Sequence, residues 1–492
     1  MCYCILTLEI QLLKSYFMKS KLAFSTTILI FVIIGFSFKY QENQSSPPNV
    51  VIVYIDDMGF GDLGRTGAIG YETPNFDEMA ANGIFFSNYY SPQAVCTASR
   101  AGLLMGCYPN RLNFSGAIDH TAKVGINDNE ETIAELLKAR GYATAAYGKW
   151  HLGFQEQFLP TNHGFDEYHG IPYSNDMWNK NPRRSSYFPE LPLYENTVIV
   201  EQNPDQSQFT TRFTERTVNF IKKNKKKPFF VYLAHPMPHV PLFVSDKFKG
   251  KSTKGLFGDV MMELDWSMGM IRKTLKELKL DKNTLLIVTS DNGPWLNYGN
   301  HAGSAGGFRE GKGTTFEGGH RVPCIMEWRG TIPAGKIVNS IAAGIDILPT
   351  IVEATGAKTP IQKIDGVSLM ANLKGDLNVS PRETFLFYYR KNNLEAIRYK
   401  NWKLVFDHPG RTYIGFAPGA DGIPGSVDEQ FMHNSGLYDL GRDPGERYNV
   451  MAAYPEIVAQ LQSMADEARK DLGDDLTKTE GANRRDIGRL RE

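Results

Sequence analysis

Two carboxylates stand side by side at Asp56-Asp57, directly after the apolar run Val50 to Ile55. Adjacent carboxylates repel, so a cation or strong donors must compensate them. The plain alternative is a helix cap beside an exposed acid. Asp291-Asn292-Gly293 repeats the arrangement after a second apolar run, Leu285 to Thr289. Three carboxylates and one amide oxygen brought together make an all-oxygen site, which suits Ca²⁺ or Mg²⁺. Zinc prefers histidine or thiolate, and neither adjoins these acids. Two further runs also end in polar groups: Tyr142 to Tyr147 before Gly148-Lys149-Trp150-His151, and Phe229 to Ala234 before His235-Pro236-Met237-Pro238-His239. Cys96 opens Cys96-Thr97-Ala98-Ser99-Arg100. A lone cysteine is most often a small buried hydrophobe. If a helix begins near Ala98, its first amides and Arg100 face an anion.

These groups need elements to hold them. Each apolar run is short, bounded and partly β-branched, as in strands buried on both faces of a sheet. Helical stretches lie between them. Glu130 to Arg140 carries Ile133, Leu136 and Leu137 on one face, and Asp259 to Leu280 is long and amphipathic. The alternation predicts a mostly parallel α/β sheet flanked by helices. Ligands of such sheets bind beyond the carboxyl ends of the strands, so all four polar clusters would share one edge. After about residue 375 the texture changes. Thr384 to Tyr389, Glu395 to Tyr399 and Lys403 to Phe406 read as an antiparallel meander. Tyr454-Pro455-Glu456 opens a closing helix with Ile457, Leu461, Met464, Ala468 and Leu472 on one stripe. The charged tail from Gly473 is expected to be loose. The organisation predicted is a leader and linker over 1–45, a large α/β catalytic domain over 46–375, and a smaller C-terminal α+β subdomain over 376–492. The run Lys222, Lys223, Lys225, Lys226 and Lys227 reads as a solvated helix end.

Composition removes several classes. Of 492 residues, 42% are hydrophobic and 22% charged, which excludes a disordered, collagen-like or coiled-coil chain. Lys plus Arg and Asp plus Glu are 54 each, so no basic surplus marks a nucleic-acid binder. Five cysteines exclude a disulfide-built scaffold. Lys19 and Lys21, the apolar run Ile28 to Phe36 and the polar stretch Gln41 to Pro48 read as an export signal, with Met18 as the expected start. The run is shorter than the ~20 residues of a spanning helix, so no stable membrane span is expected, and an uncleaved anchor is the alternative. Export to a periplasm is expected, with secretion or a cell-surface anchor as the alternative. Cys96, Cys107 and Cys324 lie beyond the leader. Nothing in their spacing supports a Cys107–Cys324 disulfide.

Cys96 to Arg100 followed by Ala101-Gly102-Leu103-Leu104-Met105-Gly106 resembles the signature of the formylglycine-dependent sulfatases. Gly148-Lys149-Trp150-His151-Leu152-Gly153 resembles their second signature, and Gly311-Lys312-Gly313-Thr314-Thr315-Phe316-Glu317-Gly318-Gly319 a third block. Asp346-Ile347-Leu348-Pro349-Thr350 and Leu437-Tyr438-Asp439-Leu440 resemble later landmarks. The order is kept from Asn49 to Val450, with the arylsulfatase A and galactosamine-6-sulfatase branch most similar. The resemblance implies an alkaline-phosphatase-like fold that hydrolyses sulfate esters. It implies that Cys96 is oxidised to formylglycine, whose hydrate attacks sulfur, by a formylglycine-generating or sulfatase-maturating enzyme. One Ca²⁺ would be held by Asp56, Asp57, Asp291 and Asn292, with the modified Cys96 as a further ligand. Arg100 would steady the nucleophile, Lys149 and Lys312 would bind sulfate, and His239 would serve the leaving oxygen. His151 would take the proton that lets sulfate depart. His235 competes with His239. Trp178, Trp295 and Tyr298 are either sugar platforms or packing, and His301 and Arg309 either substrate contacts or loop polarity. Many family members carry proline where Ala98 stands, which points to a bacterial maturation system. The expected substrate is a sulfated glycan, an algal polysaccharide of the ulvan or carrageenan type. A phosphatase or phosphonate hydrolase of the same superfamily, and a glycan-binding protein that has lost catalysis, are the competing readings.

Overall fold

The computed structural model describes residues 13–16, 18, 47–181 and 185–491. The chain divides into two compact units, one up to Pro47 and one from Pro48 onward. In the first, residues 13–16 and 18 are helical. The run read as an export signal, Lys19 to Phe36, lies outside the described residues. Among the described residues no helix is long and apolar enough to cross a membrane.

The second unit is built on a ten-stranded sheet. Its strands are β1 (Asn49–Ile55), β2 (Ile84–Phe86), β3 (Ala143–Lys149), β4 (Glu167–Ile171), β5 (Pro192–Glu195), β6 (Val198–Gln202), β7 (Phe229–His235), β8 (Thr284–Ser290), β9 (Cys324–Glu327) and β10 (Lys336–Val338). Their spatial order is β10-β2-β9-β8-β1-β7-β3-β4-β5-β6. The five central strands β8, β1, β7, β3 and β4 run parallel. β9 is antiparallel to both its neighbours, and β5 and β6 close the other edge antiparallel. The mixed, mostly parallel sheet of the alkaline-phosphatase-like layout is therefore present.

The apolar runs become strands because both faces are covered. Every residue of β1 is buried. Val50, Ile52 and Tyr54 face a core shared with helices α2 (Cys96–Met105), α3 (Ile133–Ala139) and α6 (Ile347–Thr355). Val51, Val53 and Ile55 face the opposite core, with α1 (Pro74–Asn82), α4 (Phe209–Asn224) and α5 (Leu256–Glu277). The two-residue side-chain period sorts one continuous apolar run into two cores. Local signals set the ends. Thr132 and Glu135 form a reciprocal capping box, so α3 starts at Ile133 rather than at Glu130. α2 stops at Gly106, whose φ of 67° is left-handed. Lys222, Lys223, Lys225, Lys226 and Lys227 are exposed at the end of α4.

The C-terminal strands and helix build a third core, which also takes in Tyr90, Tyr108, Phe316 and Ile345. Strands β11 (Thr384–Tyr389), β12 (Asn393–Tyr399) and β13 (Trp402–Val405) form the expected meander, and β16 (Gly436–Asp439) adds a fourth antiparallel strand. A separate hairpin, β14 (His408–Thr412) with β15 (Asp428–His433), projects from it. Helix α7 (Pro455–Leu472) buries Leu461, Ala465 and Leu472 against this sheet. The tail beyond Gly473 is not loose. Asp474 is buried and accepts from Leu394 N and Arg469 Nε, at 3.1 and 2.8 Å. Arg485 pairs with Glu130 at 2.6 Å, and Gly488–Arg489 forms a short antiparallel ladder with Val124–Gly125. Arg485 looks solvated in sequence because its partner Glu130 lies 355 residues earlier in the chain.

Candidate active site

The carboxyl ends of β1, β3, β7 and β8 lie on one edge, and their polar extensions meet there. Asp56 and Asp57 leave β1, and Asp57 adopts a left-handed φ of 65°, uncommon for a residue with a side chain. Its backbone N–H donates to Asp291 Oδ1 at 3.1 Å, which ties the end of β1 to that of β8. Asn292 Nδ2 donates to Asp57 Oδ1 at 2.7 Å and to Gly293 O at 2.9 Å. A Cβ on Gly293 would stand 1.8 Å from Gly318 O, so only glycine lets the 311–319 block close over the acids.

The cations enter from three elements. Arg100 lies one turn into α2, fully buried, and donates to Asp291 Oδ2 at 2.7 Å and to Lys149 O at 3.0 Å. Its guanidinium is 3.5 Å from Asp56 Oδ2. Lys149, the last residue of β3, reaches Asp56 Oδ2 at 2.5 Å and Ser174 Oγ at 3.1 Å. Lys312 places its ammonium 2.7 and 2.9 Å from the two oxygens of Asp57 and over the Trp295 ring at 4.6 Å. Three buried carboxylates thus face three buried cations. Both lysines lean on carboxylates, because a buried ammonium settles on the nearest opposite charge.

Burial pushes Asp56 up, but Lys149, His239, Arg100 and Lys312 outweigh it and hold the carboxyl well below its ordinary range. Burial and the charge of Asp56 push Asp291 up to about 7, so the carboxylates share the load unequally. Burial likewise raises the Cys96 thiol, against the pull of Lys149 and Lys312. The unmodified side chain is therefore a protonated thiol and a poor nucleophile. Cys96 begins α2 itself, two residues before the expected start, and the first helical hydrogen bond is Ser99 N to Val95 O at 3.1 Å. The amides ahead of Ser99 belong to the open end of the helix.

The histidines have defined tautomers. His151, with a left-handed φ of 63°, places Nε2 2.7 Å from Ile118 O. A carbonyl only accepts, so Nε2 carries the hydrogen and the buried, unpartnered Nδ1 offers a lone pair. Burial and Lys149 lower its pKa, keeping it neutral. His239 donates from Nδ1 to Val240 O at 2.6 Å and turns Nε2 toward Asp57 Oδ2, 3.8 Å away. Burial and Lys312 lower its pKa as well. His235 faces Ser267 Oγ at 3.0 Å on α5, away from the acids.

The donor set fits a hard cation. Asp56 Oδ1 and Asn292 Oδ1 are buried with no hydrogen-bond partner, beside the carboxylates of Asp57 and Asp291. Among the described residues, Asp56, Asp57 and His239 form the one group of three ligand side chains close enough to share an ion. Trp295 is at the site and packs on His239, with ring centroids 5.5 Å apart, whereas Trp178 packs on Phe243. Arg309 stacks on Phe316 at 3.8 Å and donates to Glu446 O, which makes it a structural tie. Cys107 and Cys324 are free and buried. Sequence reasoning missed Ser174, whose signal was the short strand β4 three residues earlier. It also missed Arg411 and Tyr413, which reach Lys312 from the C-terminal hairpin and carry no signal in the chain.

A sequence model of the Sulfatase family matches residues 48–357, and one of the C-terminal region of aryl-sulfatase matches residues 380–486. The chain belongs to the sulfatase family. N-acetylgalactosamine-6-sulfatase of Canis lupus familiaris is 36% identical to this sulfatase over 446 residues, covering 85% of this chain and 84% of that one. Arylsulfatase A of Bos taurus is 36% identical over 441 residues, covering 85% and 86%. Among solved structures, PsFucS1 sulfatase from Pseudoalteromonas sp. matches with a TM-score of 0.79 at 28% identity, over 92% of this chain and 94% of that one. The sulfatase is accordingly a sulfuric ester hydrolase.

Proposed function

We propose that this sulfatase removes sulfate from a sulfated carbohydrate, using Cys96 converted to formylglycine and a calcium ion held by Asp56, Asp57, Asp291 and Asn292. The observation that carries the reading is the meeting, on one sheet edge, of two unpartnered buried oxygens, the helix end bearing Cys96, and two buried lysines. All-oxygen donors favour calcium over zinc. The hydrated aldehyde supplies a hydroxyl nucleophile that a thiol cannot, and bound calcium supplies a contact to a sulfate oxygen and a lower pKa for that hydroxyl. The modified Cys96 side chain would be a further ligand.

The other roles follow from the side chains. Arg100 is locked by Asp291 and the Lys149 carbonyl, so it holds its face of the nucleophile without moving. Lys149 and Lys312 are ion-paired with Asp56 and Asp57 and offset the charge that develops on the sulfate oxygens, with Lys312 also serving the leaving oxygen beside His239. His151 Nδ1 is ready to accept a proton, as release of sulfate requires. His239 is neutral at rest. A sulfate ester brings negative charge to Nε2, which favours its protonated form and lets it donate to the leaving oxygen. Substrate specificity is proposed to lie with a polysaccharide of the ulvan or carrageenan type, met after export to the periplasm. A sulfatase-maturating enzyme that accepts alanine at position 98 is the proposed partner.

The test begins with the mass of the peptide containing Cys96 after expression with such an enzyme, which should show thiol replaced by aldehyde. Converted protein should then release sulfate from aryl sulfate faster than phosphate from aryl phosphate. Cys96→Ala should reduce release to the uncatalysed background while the circular dichroism spectrum stays unchanged. Turnover by that variant would end the proposal, and a phosphate preference would favour the phosphatase reading.

A further inference from the structure

Lys312 lies between β8 and the four-residue helix Glu317–His320, in a stretch that belongs to no strand ladder. Its position is set from outside. The main-chain carbonyl of Lys312 accepts two hydrogen bonds from the C-terminal hairpin, from Tyr413 Oη at 2.6 Å and Arg411 Nη1 at 3.2 Å. Two donors fill both lone pairs of that oxygen. Two residues earlier, Glu310 accepts from Thr412 Oγ1 at 2.6 Å and from Tyr413 N at 2.8 Å. Three consecutive hairpin residues therefore grip both ends of the segment 310–312. Gly313 completes the fit: a Cβ there would stand 2.9 Å from Arg411 Nη1, and its φ is +80°. Arg411 is itself held by Glu429 on the paired strand, at 2.7 and 2.9 Å.

We infer that Tyr413 and Arg411 are positioning residues for Lys312, so that the C-terminal hairpin is a working part of the active site. This rests on the proposed role of Lys312 in offsetting charge during sulfate transfer. The ammonium sits at the end of a flexible four-carbon stem, and its placement against Asp57 and Trp295 depends on a fixed main chain behind it. Arg411 also lines a cavity of about 500 Å³ together with Trp295, Val240, Asp176 and Glu429. The residue that holds Lys312 from behind is thus part of a wall that a bound sugar would touch.

The experiment compares converted wild type with Tyr413→Phe and Arg411→Lys on phenyl sulfate and 4-nitrophenyl sulfate. The phenyl ester leaves as the more basic oxygen and needs more charge neutralisation. A misplaced catalytic group costs up to about 10²-fold, so Tyr413→Phe should lower kcat on phenyl sulfate about ten-fold, with KM within about two-fold. The loss on 4-nitrophenyl sulfate should be several-fold smaller. Arg411→Lys, which keeps the charge and loses the fork, should show the same leaving-group dependence with a smaller loss. An equal loss on both esters would assign the hairpin a purely structural role and overturn the inference, as would no loss at all. Lys312→Ala, run alongside, isolates the premise: retained turnover in that variant would remove the role of Lys312 itself, independently of the hairpin.

Discussion

Two of the buried clusters of charge among the described residues of this sulfatase are finished differently. In the first, Asp56, Asp57 and Asp291 face Arg100, Lys149 and Lys312, and Asp56 Oδ1, Asn292 Oδ1 and His151 Nδ1 are left without partners. In the second, Glu317 and Glu446 share Lys403 at 3.2 and 2.8 Å, where the C-terminal sheet meets the short helix Glu317–His320. There Tyr90 Oη donates to Glu317 at 2.6 Å, Arg321 and Arg398 stand at 3.4 and 4.0 Å, and Glu446 also takes the Glu317 N–H at 2.8 Å. Burying charge is costly in both places. The second cluster turns its groups on one another and acts as a staple; Glu446 Oε1 makes no hydrogen bond, but it is ion-paired with Lys403. The first keeps acceptors and a lone pair in reserve, which is what a site for a cation and a reacting group needs.

The largest effects should separate the two. Asp291→Ala in the first cluster removes a proposed ligand and the nearer of the two carboxylates that pair with Arg100. Because even outer partners of metal ligands are worth about 10–100-fold in affinity, loss of this one should weaken calcium binding by more than about 10²-fold, read by calorimetric titration. Sulfate release should fall with it. Unchanged calcium affinity would move the ion elsewhere. Lys403→Met in the second cluster leaves two buried carboxylates without their shared cation, a change that costs about 3–5 kcal/mol. The thermal midpoint should fall by on the order of 5 °C or more, while KM for an aryl sulfate in the folded fraction stays as in wild type. A large KM change would mean that the two clusters are coupled.

The same contrast governs what was legible in the sequence. Asp56, Asp57, Asp291, Asn292, Lys149, His151 and His239 follow apolar runs, so strand-end logic brought them to one edge; a helix start beside Cys96 turned Arg100 toward an anion, and the resemblance supplied their roles and Lys312. The central strands were readable because both their faces are buried and the runs are unbroken. β4 was not, because Glu167-Tyr168-His169-Gly170-Ile171 alternates and carries a histidine and a glycine; Ser174 was lost with it. The staple was invisible. Lys403 lies 86 residues from Glu317 and 43 from Glu446, and nothing local tells a buried lysine on β13 from an exposed one. Arg411 and Tyr413 escaped for the same reason, since their contacts with Lys312 span about a hundred residues. The tail beyond Gly473 was misread because charge density alone cannot reveal that Arg485 pairs with Glu130, 355 residues earlier, or that Asp474 is buried against Leu394 and Arg469.

The smallest effect concerns acid. Burial pushes the Glu317 carboxyl up, and Lys403, Arg398 and Arg321 outweigh it, lowering it from 4.5 to about 2. A depressed carboxyl contributes stability above its unfolded pKa and loses that contribution as pH falls through the folded value. The contribution of Glu317 should therefore be whole above about pH 4.5 and fade toward pH 2, worth on the order of 3 kcal/mol. Glu446 moves the other way, raised by burial and by Glu317 against the pull of Lys403, so it gives up its charge first. Comparison with Glu317→Gln isolates the term, because the variant cannot titrate at that position. Urea unfolding of both proteins, followed by circular dichroism at a series of pH values, should show wild type more stable at neutral pH. The gap should narrow steadily below about pH 4.5, as the carboxyl takes up its proton and comes to resemble the amide. A gap that stays constant into acid would mean that Glu317 stabilises through shape and hydrogen bonds rather than charge, and the staple would then differ from the catalytic cluster in kind and not only in how completely its groups are paired.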